Sequence, residues 1–247
     1  MTMLNVIDMA SWQDGISLAD VFDQNIVNAC VVKATESTDY TNPLFNEWCG
    51  WLVKHGKLFG FYHFAQPGNP KDQCDYFLEK TKAYRGKGIP VLDWEVDVDY
   101  RWINVFCERY HKIAGVWPVI YGNAWRFSDN VNKECERWLA AYPNVYSPSF
   151  SWAKENRVKL APKCPGTVCM WQFCSDGHLK GYDGELDLSI FYRDKNAWKA
   201  LAGITVEKDY KARLQDDRFN IVFRDSGSGK GKHTLQNSDY RITIERK

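Results

Sequence analysis

Eight short apolar runs, each bounded by turn residues, constrain the fold of this 247-residue chain more than any other feature. Continuous apolar runs of about four to eight residues are typical of strands that are buried on both faces. The runs cover residues 4–7, 30–34, 58–64, 89–92, 116–121, 138–142, 168–173 and 186–191.

The stretches between the earlier runs have helical character over residues 43–55, 70–84 and 99–114, with Pro43 and Pro70 at first-turn positions. Alternation of strand and helix predicts an α/β fold whose mostly parallel sheet closes, or nearly closes, into a TIM-like (β/α) barrel. The later crossovers are too short to hold a full helix each. We therefore predict an irregular barrel.

The C-terminal stretch has a different character. Residues 206–247 contain two β-leaning segments, 219–223 and 240–244, joined by the polar, glycine-rich stretch 225–239. We predict a barrel domain over residues 1–205 followed by a small, hairpin-like β extension. The extension carries ten Lys and Arg against seven Asp and Glu, so its net charge is +3 and that of the preceding residues is −2. It is either a solvated tail that closes the barrel or makes an oligomer contact, or a weak binder of anionic polymers.

Composition excludes several classes of protein. With 45% hydrophobic residues and a net charge of +1, the chain can build a sizeable core but is no polyelectrolyte, so nucleic acid is not a predicted partner. Its first ten residues hold no Lys or Arg and no long apolar stretch, so we predict synthesis in the cytoplasm without a secretory signal. No apolar run approaches the roughly 18 residues of a membrane span, and no membrane insertion is predicted. The sequence does not predict an oligomeric state.

The cysteines are expected to be reduced and mostly buried, because a chain of this length without a secretory signal does not depend on disulfides. The nearest approach to a cluster, Cys164, Cys169 and Cys174, has C-x4-C-x4-C spacing and lacks the C-x2-C pairs typical of zinc sites. We predict no metal site and no cofactor.

Carboxylates mark the ends of the predicted strands. Asp93 and Glu95 follow the run 90–92, and residues i and i+2 of a strand share a face. Asp8 follows the first run, and Asp187 lies within the last. Acids that converge on one barrel mouth raise one another's pKa, and an acid that stays protonated near neutral pH can protonate a leaving oxygen. The pattern therefore predicts glycoside hydrolysis.

Several segments, taken in order, resemble glycoside hydrolase family 25, the Chalaropsis-type lysozymes, which include phage endolysins. The segments are VIDMASWQ (6–13), VVKATESTDYTNPLF (31–45), GFYHFAQP (60–67), PVLDWE (90–95), PVIYGN (118–123), WLAAY (138–142), WQF (171–173) and LDLSIF (186–191). The resemblance implies an N-acetylmuramidase that cleaves the β-1,4 bond between N-acetylmuramic acid and N-acetylglucosamine in bacterial peptidoglycan. It does not extend beyond about residue 200.

By position, the resemblance implies that Glu95 is the proton donor. Asp93 would orient or polarise the 2-acetamido group, or act as a nucleophile-like base, and Asp8 and Asp187 would complete an acidic floor. The residues implied to bind substrate are Tyr62, Trp12, Tyr121, Trp171 and Gln172. His63 has no accompanying nucleophile motif and is predicted to be structural, while Lys33 and Glu36 are predicted counter-ions without a chemical step.

Two other functions stay open. One is a chitinase-like glycosidase, and the other is a non-catalytic wall-binding subunit of a virion. For a muramidase without a secretory signal, the expected setting is either phage-driven host lysis after release by a holin or a virion-associated lysin, and the sequence does not separate them.

Overall fold

The computed structural model describes residues 2–23 and 26–204, and beyond them only four short strands. The chain divides into two compact units, Met1–Ile204 and Thr205–Lys247. Each unit is described by itself below.

The first unit alternates strands with helices. Its strands are β1 (Leu4–Met9), β2 (Ala29–Glu36), β3 (Tyr40–Thr41), β4 (Leu58–Phe64), β5 (Ile89–Asp93), β6 (Val119–Asn123), β7 (Arg137–Ala140), β8 (Val168–Gly177) and β9 (Leu186–Phe191). Its α-helices are α1 (Leu18–Asp23), α2 (Phe45–Lys54), α3 (Pro70–Lys80), α4 (Tyr100–Ala114), α5 (Phe150–Leu160) and α6 (Lys195–Leu201).

Eight of these strands close into a barrel. Around the ring the order is β1, β2, β4, β5, β6, β7, β8, β9, and β1 pairs with both β2 and β9. The short strand β3 pairs only with the last two residues of β2, Thr35 and Glu36, and is not part of the ring. All pairs from β1 through β8 are parallel, whereas β9 is antiparallel to both of its neighbours. The predicted irregular α/β barrel is confirmed, and each predicted run forms one of its strands.

Local sequence explains where the helices begin and end. Asn69 accepts a hydrogen bond from the Lys71 amide ahead of α3, whose first residue is Pro70, which has no amide hydrogen to leave unpaired. Asp99 caps α4 in the same way, and Gly115 ends that helix at φ 77°, a conformation that favours glycine. The helix predicted over 43–55 begins two residues later, at Phe45, so Pro43 precedes its first turn.

The irregularity lies where the crossovers shorten. Between β6 and β7 the described chain forms only the short 3-10 turn Ala124–Arg126, and no helix separates β8 from β9. By contrast, β7 and β8 are joined by the 11-residue helix α5. Because β8 and β9 lack a helical crossover, they pair as antiparallel neighbours.

The core has two layers, as expected when strands alternate their side chains between two faces. Leu4 and Val6 of β1 face the inside of the ring, where they pack in one buried cluster with the inward-facing residues of the other strands. Ile7 and Met9 point the opposite way and pack with helices α1 to α4. At the end away from the strands' carboxyl termini, Trp198 of α6 enters the inner cluster and donates a hydrogen bond of 3.1 Å to the Phe59 carbonyl. Helix α6 thus closes the bottom of the barrel.

Within the second unit, the structure describes two separate antiparallel pairs. β10 (Tyr210–Ala212) pairs with β11 (Ile221–Phe223), and β12 (Lys232–Gln236) pairs with β13 (Arg241–Glu245). The expected single hairpin between 219–223 and 240–244 therefore does not form, because strand propensity does not specify a strand's partner. The rest of the predicted glycine-rich loop, outside β12, lies beyond the described residues.

No helix in the described ranges combines the length and apolar character that a membrane crossing requires.

We predict that a chain ending at residue 204 folds as the full-length chain does, because the whole strand ring and the α6 plug precede that position. Its far-UV circular dichroism should show the same mixed α/β content, and its urea unfolding should stay cooperative with an unchanged midpoint. A truncated chain that lacks a cooperative transition would instead make the C-terminal unit part of the barrel's folding unit.

Candidate active site

A pocket of about 280 Å³ opens at the carboxyl ends of the parallel strands, the end at which barrel enzymes place their active sites. It contains eight of the nine predicted site residues: Asp8, Trp12, Tyr62, Asp93, Glu95, Tyr121, Gln172 and Asp187. The pocket is also lined by residues that the sequence did not single out for it, among them Gln13, Phe64, Trp138 and Tyr142.

The reversed direction of β9 explains how Asp187 reaches this pocket. Asp187 is the second residue of β9, and the start of an antiparallel strand lies at the same barrel end as the last residues of its parallel neighbours. The register places Asp187 directly opposite Asp8 on β1. Opposed residues of an antiparallel pair have Cα atoms roughly 4.5 to 5.5 Å apart, and like charges there repel. The two carboxyl groups therefore form one closely coupled pair.

Asp93 is buried at the end of its strand, whereas Glu95 is exposed at the rim of the pocket. Strand β5 ends at Asp93, which is only 8% exposed, and its Oδ1 atom has no hydrogen-bond partner among the described residues. Glu95 lies beyond the strand and is exposed at the pocket rim. The Trp94 amide between them donates to the Tyr121 carbonyl at 2.9 Å, which extends the contact with β6 by one residue. The expectation that both acids lie on one strand is therefore wrong for Glu95.

Burial and mutual repulsion raise the pKa values of the acids on the floor of the pocket. Burial raises the pKa of Asp8 well above its usual range, and the Asp187 charge raises it further, although a hydrogen bond from Gln172 opposes the change. Burial, reinforced by the charge of Glu95, raises the pKa of Asp93 as well, against the opposing effect of Lys33. The same two causes, burial and Glu95, raise the pKa of Asp187 to about 6.

An amide on β8 organises the polar wall of the pocket. Gln172 is 3% exposed, and its Nε2 donates to Asp8 Oδ2 at 2.9 Å. Its Oε1 accepts hydrogen bonds of 2.6 Å from the hydroxyls of both Tyr121 and Tyr142. Because the amide donates to the acid and accepts from the phenols, its orientation is fixed, and so is that of Asp8.

The tyrosines of the pocket remain hydrogen-bond donors. Burial, together with the nearby Asp93, raises the pKa of Tyr62 well above its usual value. Burial also raises the pKa values of Tyr121 and Tyr142. All three phenols thus stay neutral near neutral pH.

Lys33 brings a positive charge to the pocket wall and is itself held in place. Its Nζ atom donates to Glu36 at 2.6 Å and lies 4.8 Å from the centre of the Phe64 ring. Glu36 also accepts from Gln66 at 2.8 Å. Against the effect of burial, these hydrogen bonds lower the pKa of Glu36, which favours its ionised form. The predicted counter-ion role of Lys33 agrees with this geometry.

His63 is a structural residue, as predicted. It is fully buried, its Nδ1 lies 2.8 Å from the Thr35 hydroxyl, and its Nε2 lies 3.0 Å from Gln73 Oε1. Burial lowers the pKa of His63 to about 4, so the ring is neutral under ordinary conditions. It does not line the pocket.

Trp171 lies outside the pocket, and its predicted contact with substrate is wrong. Its side chain is fully buried on the outer face of β8, where it packs against Phe173 and donates a hydrogen bond of 2.7 Å to the Ala141 carbonyl. The neighbouring Gln172 faces inward because side chains alternate along a strand. Trp12, by contrast, lies at the edge of the pocket, where 85% of its surface is exposed.

The eight cysteines are free in the structure, and seven of them are buried, which agrees with the burial predicted for them. Within the described part of the chain, no three His, Cys, Asp or Glu side chains are grouped as metal ligands would be.

Comparison with known proteins places this geometry in a family. The sequence model described as glycosyl hydrolases family 25 matches residues 7–182. The N,O-diacetylmuramidase of a Chalaropsis species is 32% identical over 136 residues, which are 47% of this chain and 64% of that relative, slightly under two thirds of its length.

Solved structures share the fold. The bacterial lysozyme of Streptomyces coelicolor is 24% identical and superposes with a TM-score of 0.65 over 82% of this chain and 98% of its own. The modular autolysin LytC of Streptococcus pneumoniae, solved in complex with a synthetic peptidoglycan ligand, is 19% identical, with a TM-score of 0.62 over 77% of this chain and 47% of its own. The family model covers most of the barrel and three of the four site acids, and the ordered segments had indicated the same family. The chain belongs to glycosyl hydrolase family 25.

Proposed function

We propose that this family 25 glycoside hydrolase is an N-acetylmuramidase that cleaves the β-1,4 bond between N-acetylmuramic acid and N-acetylglucosamine in peptidoglycan. One observation carries the proposal: one buried and two half-buried acids with raised pKa values, together with one exposed acid, surround a single pocket at the barrel mouth. The likeness to the Chalaropsis N,O-diacetylmuramidase supports the choice of sugar. Use of the enzyme in phage-driven lysis stays a prediction of the sequence.

Glu95 is the proton donor in this proposal. Its exposed position at the rim lets it meet the glycosidic oxygen of a strand that lies across the mouth. General acid catalysis requires contact between the acid and the leaving oxygen, and a rim position allows that contact.

Asp93 acts beneath the sugar that is attacked. Asp93 lines the pocket, and its buried Oδ1 atom has no hydrogen-bond partner in the described chain, so that oxygen is not committed to a structural contact. Asp93 either polarises the 2-acetamido group or serves as a nucleophile-like base. Lys33 favours the charged form of Asp93 as positive charge develops on the sugar.

The Asp8 and Asp187 pair completes the floor. Because the two face each other across β1 and β9, the charge of Asp187 raises the pKa of Asp8, and the pair donates or accepts hydrogen bonds according to the state of the site. Tyr62, Tyr121 and Gln172 supply further hydrogen bonds to sugar hydroxyls, and the exposed Trp12 ring supplies a stacking face.

Glu95→Gln should reduce peptidoglycan hydrolysis by at least about 10²-fold, because the amide keeps the shape of the side chain but cannot donate a carboxyl proton. Turbidity loss of purified cell walls measures the rate. Glu108→Gln, an equally exposed change on α4, is the matched control and should retain full activity. A folded Glu95→Gln protein with near-normal activity would remove Glu95 from the mechanism.

The bond that is cut can be identified from the new reducing ends. Digestion of purified peptidoglycan followed by borohydride reduction should convert N-acetylmuramic acid, and not N-acetylglucosamine, to its alditol, and mass spectrometry of the fragments reports which sugar was reduced. Reduced glucosamine would refute the muramidase assignment. Activity on chitin with none on bacterial wall would favour the chitinase-like alternative, and binding to walls without any new reducing end would favour the non-catalytic one.

Asp187→Asn should stabilise the protein at neutral pH. The folded-state pKa of about 6 exceeds the unfolded value of about 3.9, so between these pH values the folded chain holds a proton that the unfolded chain has lost. The free energy of unfolding therefore falls as pH rises through this window, by at most about 3 kcal/mol.

Removing the acid removes this cost. Urea midpoints measured at pH 7.5 and pH 4 should show a clear gain for Asp187→Asn at the higher pH and almost none at the lower. Asp183→Asn, an exposed change in the loop before β9, is the control and should alter neither midpoint. An equal gain at both pH values would contradict ionisation as the cause.

A further inference from the structure

A second cleft lies beside the catalytic pocket and has no role in the mechanism above. It measures about 420 Å³ and is formed by the residues that follow β5 and β6, including Trp94, Asp97, Tyr100, Trp125 and Arg126. Both strands end at the barrel mouth, so the cleft opens on the same side as the pocket. Trp94 lines the cleft and the next residue lines the pocket, so Glu95 lies at the boundary between them.

Trp125 is the most exposed aromatic residue of the cleft. Its indole is 75% exposed, which is costly in water for so large an apolar ring. The Arg126 guanidinium lies 4.5 Å from the ring centre and covers part of it, while the remaining surface is free. Asp97 is exposed and Tyr100 half-buried at the same cleft, so an apolar platform is bordered by hydrogen-bonding groups.

Arg126 links this platform to the proton donor. Its Nη1 atom donates to the Val96 carbonyl at 2.8 Å, and its Nη2 donates to the carbonyl of Glu95 itself. The guanidinium also lies 5.7 Å from the ring centre of Trp94, whose indole nitrogen donates to the Val98 carbonyl at 3.0 Å. The segment that carries Glu95 has left the strand, and these contacts fix it to the turn that carries Trp125.

We propose that this cleft is a subsite for a sugar ring of the glycan on the leaving-group side of the scissile bond, with Trp125 as its stacking platform. The inference rests on the proposed function. A pyranose ring has an apolar face bordered by hydroxyls, which matches an indole bordered by a carboxylate and a phenol. The sugar under attack occupies the pocket above Asp93, and the acid protonates the oxygen on its far side. The leaving sugar therefore lies beyond Glu95, toward the cleft.

The test uses peptide-free β-1,4 glycan oligosaccharides of defined, increasing length, with wild type, Trp125→Ala, Trp125→Phe and Trp117→Ala. Trp117 precedes β6 at the opposite end of the strand from Trp125 and is the matched tryptophan control. Urea midpoints verify that each variant is folded. Mass spectrometry reports the position of cleavage in each oligosaccharide, and initial rates give kcat and KM.

Trp125→Ala should raise KM on the longer oligosaccharides by about tenfold, as expected for the loss of one well-placed aromatic contact, and leave kcat nearly unchanged. It should also shift cleavage, because strands are no longer anchored on the leaving side. Trp125→Phe should restore most of the affinity, and Trp117→Ala should match wild type.

Two results would overturn the subsite. One is an unchanged KM and cleavage pattern in Trp125→Ala while wild type cleaves the same oligosaccharides. The other is an effect confined to peptide-bearing glycan, which would assign the cleft to the stem peptide. If wild type cleaves neither these oligosaccharides nor peptidoglycan, the proposed function fails first, and the subsite fails with it.

Discussion

The pairing of β9 with both β8 and β1 closes the barrel, and the chemistry at its mouth depends on that closure. Because β9 runs against its neighbours, its first residues lie at the end where the other strands finish. Asp187 thereby meets Asp8, and Ser189 accepts a hydrogen bond of 3.0 Å from the indole of Trp138 across the interior. A parallel last strand would carry the same acid to the opposite end of the barrel. The direction of one strand thus determines whether the fourth acid belongs to the site.

The acids have an energetic cost that the rest of the barrel must offset. Carboxyl groups with raised pKa values destabilise the folded state at neutral pH, where the unfolded chain would ionise them freely. The compensating contributions are the two buried layers, one within the ring and one beneath the helices. Gln172 reduces this cost at Asp8 because its amide nitrogen donates a hydrogen bond to the Asp8 carboxyl group. Its amide oxygen accepts hydrogen bonds from the hydroxyls of Tyr121 and Tyr142. Stability and acidity are therefore opposed at this site, as is common where function requires crowded charges.

Sequence alone was sufficient for the strands and the acids, because apolar runs and the carboxylates after them are local patterns. It was insufficient where the outcome depended on which face of a strand points inward or on which distant residues contact each other in the fold. Trp171 and Gln172 are adjacent, and β8 contains register shifts, so the run did not reveal which of them faces inward. Tyr142 lies beyond β7 and reaches Gln172 from 30 positions away. Arg126 donates hydrogen bonds to the backbone carbonyls of Val96 and Glu95, which lie 30 and 31 residues earlier. Contacts to the backbone cannot be predicted from patterns of side chains.

The plug formed by Trp198 has a consequence for how the site exchanges material with solvent. Because α6 fills the lower end of the ring, the described barrel is a cup with one opening and not a tunnel. A polymer cannot thread through it and must lie across the rim, so under the proposed function cleavage would need no free chain end. Such a strand would cover the mouth through which solvent reaches the floor of the described barrel. The strand therefore also shields the acids of the floor from solvent while it is bound.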